Sequence, residues 1–159
     1  MLELSKFKEV VENTPLVSID LCFVFEGQIL LGKRKNEPLK GEWFTPGGRI
    51  YKNEAWQNAL RRVGELELGL SDVPVEKFKL MGLWDHFYRN SVVDQDISTH
   101  YVNLPHYIVV KSRPLLTTDD QHSDFQWFDL SMVSGNQNFY PYVRNYASWL
   151  LNRMKNTDD

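Results

Sequence analysis

The sequence predicts an α+β fold (α/β in the broad sense), with a mixed β-sheet packed between helices in a single domain spanning residues 1–159. Three observations predict it. Strand-like runs rich in Val, Ile, Leu and aromatic residues recur along the chain. Two segments, residues 54–68 and 142–155, carry apolar residues at helical spacing. No Pro-, Gly- or Ser-rich linker, repeat or low-complexity stretch divides the 159 residues, a length that suits one domain with its own hydrophobic core.

Taken in order, residues 5–13 form a short helix with Phe7, Val10 and Val11 on one side. "TPLVSIDLCFVF" is a strand, "EGQ" a turn and "ILLGKR" the returning strand, which together make a β-hairpin. "KNEPLKGEW" is a loop rich in Pro, Gly and charge. "WFTPGGRI" enters a tight double-glycine turn. A helix follows from Glu54 to Leu68, with Ala55, Ala59, Leu60, Val63 and Leu66 as its apolar residues and Gly69 as its C-cap. "KFKLMGLWDHFY" and "THYVNLPHYIVV" read as two long strands joined by the polar loop "RNSVVDQDIS". "PLLTTDDQHSD" is a loop, "FQWFDL" a last strand and "YVRNYASWLLNRMK" a closing helix.

Composition narrows function. The net charge is −3, so no broadly basic surface favours nucleic acid, and an anionic ligand has to be met by locally placed Arg or Lys. The single cysteine, Cys22, excludes an intramolecular disulfide and reads as a buried core thiol within "LCFVF". The N-terminus lacks the apolar core of a signal peptide, and no stretch approaches the ~20 apolar residues of a membrane span. These features point to a cytoplasmic protein without membrane partners.

The chemistry centres on "WFTPGGRIYKNEAWQNALRRVGELELGL". Two adjacent glycines free the backbone from Cβ clashes, so that a carbonyl can point at a cation. The helix behind them carries Arg61, Arg62, Glu65 and Glu67. By themselves these charges also fit a solvated face, with Arg61 and Glu65 as an i,i+4 pair. The spacing of "GRIYKNEAWQNALRRVGELELGL" resembles the Nudix box: Gly48, Glu54, Arg62, Glu67, Gly69 and Leu70 stand in register. Val63, Gly64 and Leu66 depart from it, and Val63 and Leu66 replace two of its glutamates. With the same truncated box, and with "TPLVSID", "LLGKR", "GLWDHFY", "THYV" and "DDQHSD" over the rest of the chain, the sequence closely resembles the GDP-mannose mannosyl hydrolase branch of the Nudix family.

That resemblance implies an enzyme that directs water at the sugar carbon of GDP-mannose, releases GDP and free sugar with inversion, and leaves GDP-glucose open as a second substrate. It implies one Mg2+ per active site, which Mn2+ can replace, held by the carbonyl of Gly47, the carboxylate of Glu67 and the side chain of Gln121. Fewer carboxylates than in the full box hold fewer hard cations. His122 is the implied general base. Arg34, Arg49 and Arg62 are candidates for holding the diphosphate, since Arg offers fork-shaped donors to phosphate oxygens. Tyr101 is the implied donor to the departing phosphate. Asp20 and His86 match residues near the charge that develops on the sugar, and an aspartate in so apolar a strand needs a partner or a task. His100 and His106 read as structural or solvent-facing. The family also leads one to expect a homodimer. Two other readings stay open: a Nudix pyrophosphohydrolase yielding GMP and sugar 1-phosphate, and a catalytically silent nucleotide-sugar sensor.

Overall fold

The computed structural model describes residues 2–116 and 122–157, with the side chains of residues 122, 123 and 157 outside that description. Helix α1 (Leu4–Asn13) leads into β1 (Leu16–Phe25) and β2 (Gln28–Arg34). β1 is buried along most of both faces, as a near-continuous run of Ile, Leu, Phe and Val allows for a central strand. The turn between them has positive φ at both Glu26 and Gly27, as a two-residue hairpin of type I′ requires, and it sets the register Phe25 opposite Gln28. The short strands β3 (Trp43–Phe44) and β4 (Gly47–Arg49) follow, then α2 (Trp56–Leu68). Gly69 caps α2 in the left-handed region, its N–H reaching the Glu65 carbonyl, as its sequence position predicts.

The second half supplies β5 (Lys79–Leu80), β6 (Trp84–Tyr88), β7 (Thr99–Val109), β8 (His122–Asp129), α3 (Leu130–Gly135) and α4 (Pro141–Thr157). The described strands form one mixed sheet. β1 runs parallel to β7 from Leu16 opposite Tyr101 to Val24 opposite Val109, while β4, β2, β8 and β6 make antiparallel pairs.

Alternation along β1 and β2 divides the core. Cys22, Val24, Ile29 and Leu31 pack with Val143, Tyr146, Ala147 and Leu150 of α4. Ile19, Leu21, Phe23 and Leu30 pack with Ala59, Leu60, Val63 and Leu68 of α2. The sheet therefore lies between α2 and α4, and Cys22 is the buried thiol its context predicts. Among the described residues, no helix is long and apolar enough to cross a membrane.

Several local expectations need correction. "PGGR" is not a turn: residues 47–49 are a strand paired with Ser18–Asp20, and neither Gly47 nor Gly48 has positive φ. The helix starts at Trp56, with Ala55 as an extended N-cap whose carbonyl accepts the Ala59 N–H; Leu66 lies off its buried stripe and is 69% exposed. The long strand expected over "KFKLMGLWDHFY" is broken. Gly82 has φ of 121°, and four residues from Leu80 to Trp84 span three from His106 to Asn103, a one-residue bulge. β8 begins at His122, three residues earlier than "FQWFDL", and α3 occupies a segment without a strong periodic signal. The i,i+4 pair of Arg61 with Glu65 is replaced by a hydrogen bond from Arg61 to Asn58.

Leu60 is fully buried between α2 and the sheet. Leu60→Ala is expected to cost about 2–5 kcal/mol, lowering the melting midpoint by roughly 5–15 °C for a domain of this size. Thermal unfolding followed by circular dichroism measures it; a shift within 2 °C would contradict this packing.

Candidate active site

A cleft of about 310 Å³ opens where the N-terminal half of β1, β4 and the start of β7 meet α1, α2 and the loop after β2. Asp20, Arg34, Gly47, Arg49, Arg62, Glu67, His86 and Tyr101 all line it. Eight of the ten residues singled out from the sequence thus converge, although they come from six different elements. Gln121 lies outside the described residues. His122 is the first residue of β8, and its backbone lies opposite Arg34.

One wall is built by the β4–α2 connection. The Arg62 guanidinium donates from Nε to Glu54 Oε2 at 2.8 Å and from Nη2 to Glu54 Oε1 at 2.9 Å. Nη2 also donates to the Arg49 carbonyl at 2.9 Å. The Glu54 carboxylate in turn accepts the Tyr51 N–H at 3.1 Å. Hydrogen bonding to Arg62 holds the Glu54 carboxyl below its ordinary range. Glu54 and Arg62 therefore tie the connection into one piece, with Arg62 placed 4.0 Å over the Tyr51 ring. Arg49 lies 3.8 Å over the ring of Phe7, which brings α1 to the same wall. Across the cleft, Arg34 Nε donates to the Pro38 carbonyl of its own loop at 2.8 Å.

At the floor, Gly47 N–H donates to Glu67 Oε2 at 3.0 Å, joining α2 to β4. A Cβ on Gly47 would lie 2.0 Å from Asp20 Oδ1 and 2.7 Å from the Ile19 carbonyl, so close approach of β4 to β1, rather than left-handed backbone, requires glycine here. Val63 sits one turn before Glu67; its Cγ2 lies 3.5 Å from where a Cβ on Gly48 would be. Of the box positions that lost a carboxylate, one thus packs against the floor and the other, Leu66, faces solvent. Among the described residues, no three His, Cys, Asp or Glu side chains converge as a metal cage. The oxygen chemistry of Glu67 and of neighbouring backbone carbonyls fits a single hard cation such as Mg2+, provided a ligand supplies further oxygens.

Deeper in the cleft is a buried polar group. Tyr146 of α4 donates its O–H to Asp20 Oδ2 at 2.8 Å, and Asn103 Nδ2 donates to the same oxygen at 2.6 Å. Asn103 Nδ2 also lies 3.2 Å from His86 Nδ1 and 2.5 Å from the Tyr146 hydroxyl. Burial pushes the Asp20 carboxyl up to about 6, against the opposing pull of Asn103, Tyr146 and Arg34. Burial lowers His86 to about 4, so its imidazole is neutral near pH 7. Its ring stacks on Tyr142 at 4.0 Å and 5°. Burial also raises Tyr101, which stays a phenol and a donor. Asp20 and His86 are the aspartate and histidine picked out from the sequence. Asn103 and Tyr146 were missed: a lone Asn in "HYVNLPHY" and a Tyr in an amphipathic helix carry no spacing signal. His100 pairs with Asp85 at the surface at 2.9 Å, and buried His106 stacks on Trp56, both away from the lining of the cleft.

The NUDIX domain family model matches residues 15–150. The chain belongs to the Nudix family. It is 40% identical over 145 residues to the low-salt glycan biosynthesis protein Agl8 of Haloferax volcanii, covering 91% of this chain and 88% of that protein. It is 32% identical over 117 residues to an ADP-ribose pyrophosphatase of Methanocaldococcus jannaschii, covering 74% of this chain and 63% of that one. A MutT Nudix hydrolase structure from Burkholderia pseudomallei superposes with a TM-score of 0.67 at 26% identity, covering 86% of this chain and 98% of that one. In this Nudix domain the box runs from β4 to the cap of α2, and its Glu54–Arg62 pair is structural.

That pair gives a pH signature. A carboxylate held below its ordinary range stabilises the fold above the unfolded-state pKa of about 4.3, and that contribution is lost as pH falls through the lower folded value. Glu54→Gln is expected to destabilise the protein by about 1–2 kcal/mol at pH 7. The gap from the parent should close progressively below about pH 4. Urea unfolding at a series of pH values reads the difference; a gap independent of pH would refute the assignment.

Proposed function

We propose that this Nudix hydrolase cleaves GDP-mannose at the glycosyl carbon, giving GDP and free mannose. One observation carries the reading. On the box helix a single carboxylate, Glu67, remains at the cleft floor, with Val63 packed beside it and Leu66 in solvent. The buried carboxylate chemistry lies instead at Asp20, beside His86 and Asn103. This is a poor arrangement for several cations placing water at phosphorus, and a suitable one for charge developing on a sugar. The relative named for glycan biosynthesis is consistent with a nucleotide-sugar substrate. The relative named as an ADP-ribose pyrophosphatase favours the second reading, attack at phosphorus yielding GMP and sugar 1-phosphate.

The residues divide the work as follows. Arg34 and Arg49 face the cleft from opposite sides and meet the diphosphate, while Arg62 secures the wall that carries Arg49. Tyr101, kept protonated by burial, donates to the leaving phosphate oxygen. Glu67, the Gly47 carbonyl and Gln121 would hold Mg2+, which would neutralise charge on the diphosphate. The C1–O bond breaks as water adds to C1 from the opposite face, and His122 takes the proton from that water. Asp20 as carboxylate faces the cationic character left on the sugar, and neutral His86 adds no competing charge. Direct displacement of an α-glycoside inverts the centre, so β-mannose forms first.

Product analysis in ¹⁸O-labelled water tests the reaction class. Label is expected in mannose and absent from GDP, with the β anomer seen by proton NMR before mutarotation; label in a phosphate would establish the pyrophosphohydrolase reading instead.

Two substitutions test the roles. His122→Gln should lower kcat by about 10²–10⁴ with substrate affinity nearly unchanged. Glu67→Gln should nearly abolish turnover at saturating Mg2+ while the far-ultraviolet spectrum stays intact. Full activity in either variant would remove that residue from its role.

A further inference from the structure

We propose that Asn103 is a positioning residue for the sugar end of the cleft: its amide fixes which nitrogen of His86 carries the proton and, with Tyr146, which oxygen of Asp20 is held away from substrate. The catalytic part of this inference rests on the reading above; the geometric part does not.

Each donor of the group meets an acceptor within it. Asp20 Oδ2 accepts both the Tyr146 O–H at 2.8 Å and an Asn103 N–H at 2.6 Å. The second proton of the Asn103 amide is shared between the Tyr146 oxygen at 2.5 Å and His86 Nδ1 at 3.2 Å, where a proton on Nδ1 would set donor against donor. A nitrogen that accepts has no proton of its own, so the neutral ring is protonated at Nε2. That Nε2–H points to the Tyr146 oxygen at 3.5 Å, whose own proton is already committed to Asp20. Each donor has a direction only in this arrangement. Turning the amide over would set its oxygen 2.6 Å from the carboxylate oxygen, two acceptors in contact. This orientation leaves Asn103 Oδ1 buried without a hydrogen-bond partner among the described residues, a cost that the contacts on the Nδ2 side offset.

Packing holds the group. His86 stacks on Tyr142, which fixes the plane of the ring but not which of its nitrogens bears the proton; Asn103 decides that. Asp20 Oδ1 lies against Gly47, on the side where Glu67 meets the cleft. Neither Asn103 nor Tyr146 has to touch the diphosphate for this role. Loss of Asn103 should therefore alter the rate of the chemical step more than the affinity for GDP.

The test uses the full chain, Asn103→Leu and Asn103→Val, the second chosen because a β-branched side chain suits strand β7 if leucine does not fold. Long-range proton–nitrogen NMR of ¹⁵N-histidine protein, with His86 assigned from a His86→Gln sample, reports the tautomer directly. The parent should show the Nε2–H form, and the variants a mixture or the Nδ1–H form. With GDP-mannose and Mg2+, kcat should fall roughly 10- to 100-fold, while KM and the dissociation constant for GDP stay within threefold. Nδ1–H in the parent, or an unchanged tautomer in a folded variant, overturns the proposal. A changed tautomer with unchanged kcat also overturns it, leaving Asn103 a purely structural residue. Should the parent not cleave GDP-mannose, the functional reading and the catalytic part of the inference fail together, and the NMR arm still decides the geometric part.

Discussion

Everything in the cleft depends on how closely β4 passes β1 at Gly47. There is no room for even a methyl group between that residue and the Asp20 carboxyl. The approach lets the Gly47 N–H reach Glu67 on α2, so a helix on one side of the sheet is tied to a strand that borders the cleft. It also seals Asp20 from above, leaving the carboxyl to its two donors below. Relax that one contact and the Glu67 and Asp20 carboxylates both lose their reference frame.

The charges around this point are supported in different ways. Arg62 is committed to a carboxylate and a carbonyl and serves as a strut. Arg49 is steadied by aromatic faces and Arg34, among the described residues, by a carbonyl at its Nε. The last two keep guanidinium donors for an anion. Asp20 lies deeper, where low polarity makes an unsupported carboxylate expensive, and neutral donors rather than a paired cation keep it in place. Arginines line the walls, while the Glu67 carboxylate lies at the floor and Asp20 deeper still.

Much of this was legible in the sequence, for identifiable reasons. The β1–β2 hairpin, α2 with its Gly69 cap and α4 announce themselves by period and turn chemistry, and the box spacing marks Glu54, Arg62 and Glu67 as one unit. Short-range signals failed where tertiary contact decides. The double glycine suggests a turn, but Gly47 is required by crowding against Asp20, which lies 27 positions earlier. Gly82 breaks a strand whose side chains alone read as continuous. Leu66 counts as apolar in any periodicity sum, yet the helix turns it outward. Asn103 and Tyr146 could not be found from sequence, since their meaning arises only when β7 and α4 bring them to one oxygen of Asp20.

The reliance of Asp20 on Tyr146 has a temporal side. The first wall of the cleft is laid by Phe7 and the floor is completed by a residue 126 positions after Asp20. A chain emerging from the ribosome can form the β1–β2 hairpin and the box helix long before α4 exists. During that interval Asp20 would lack one of its two donors, and burial of its charge would be opposed. The cleft gains its final polarity only when α4 docks, so a polypeptide without α4 carries the motif without the full set of donors around Asp20.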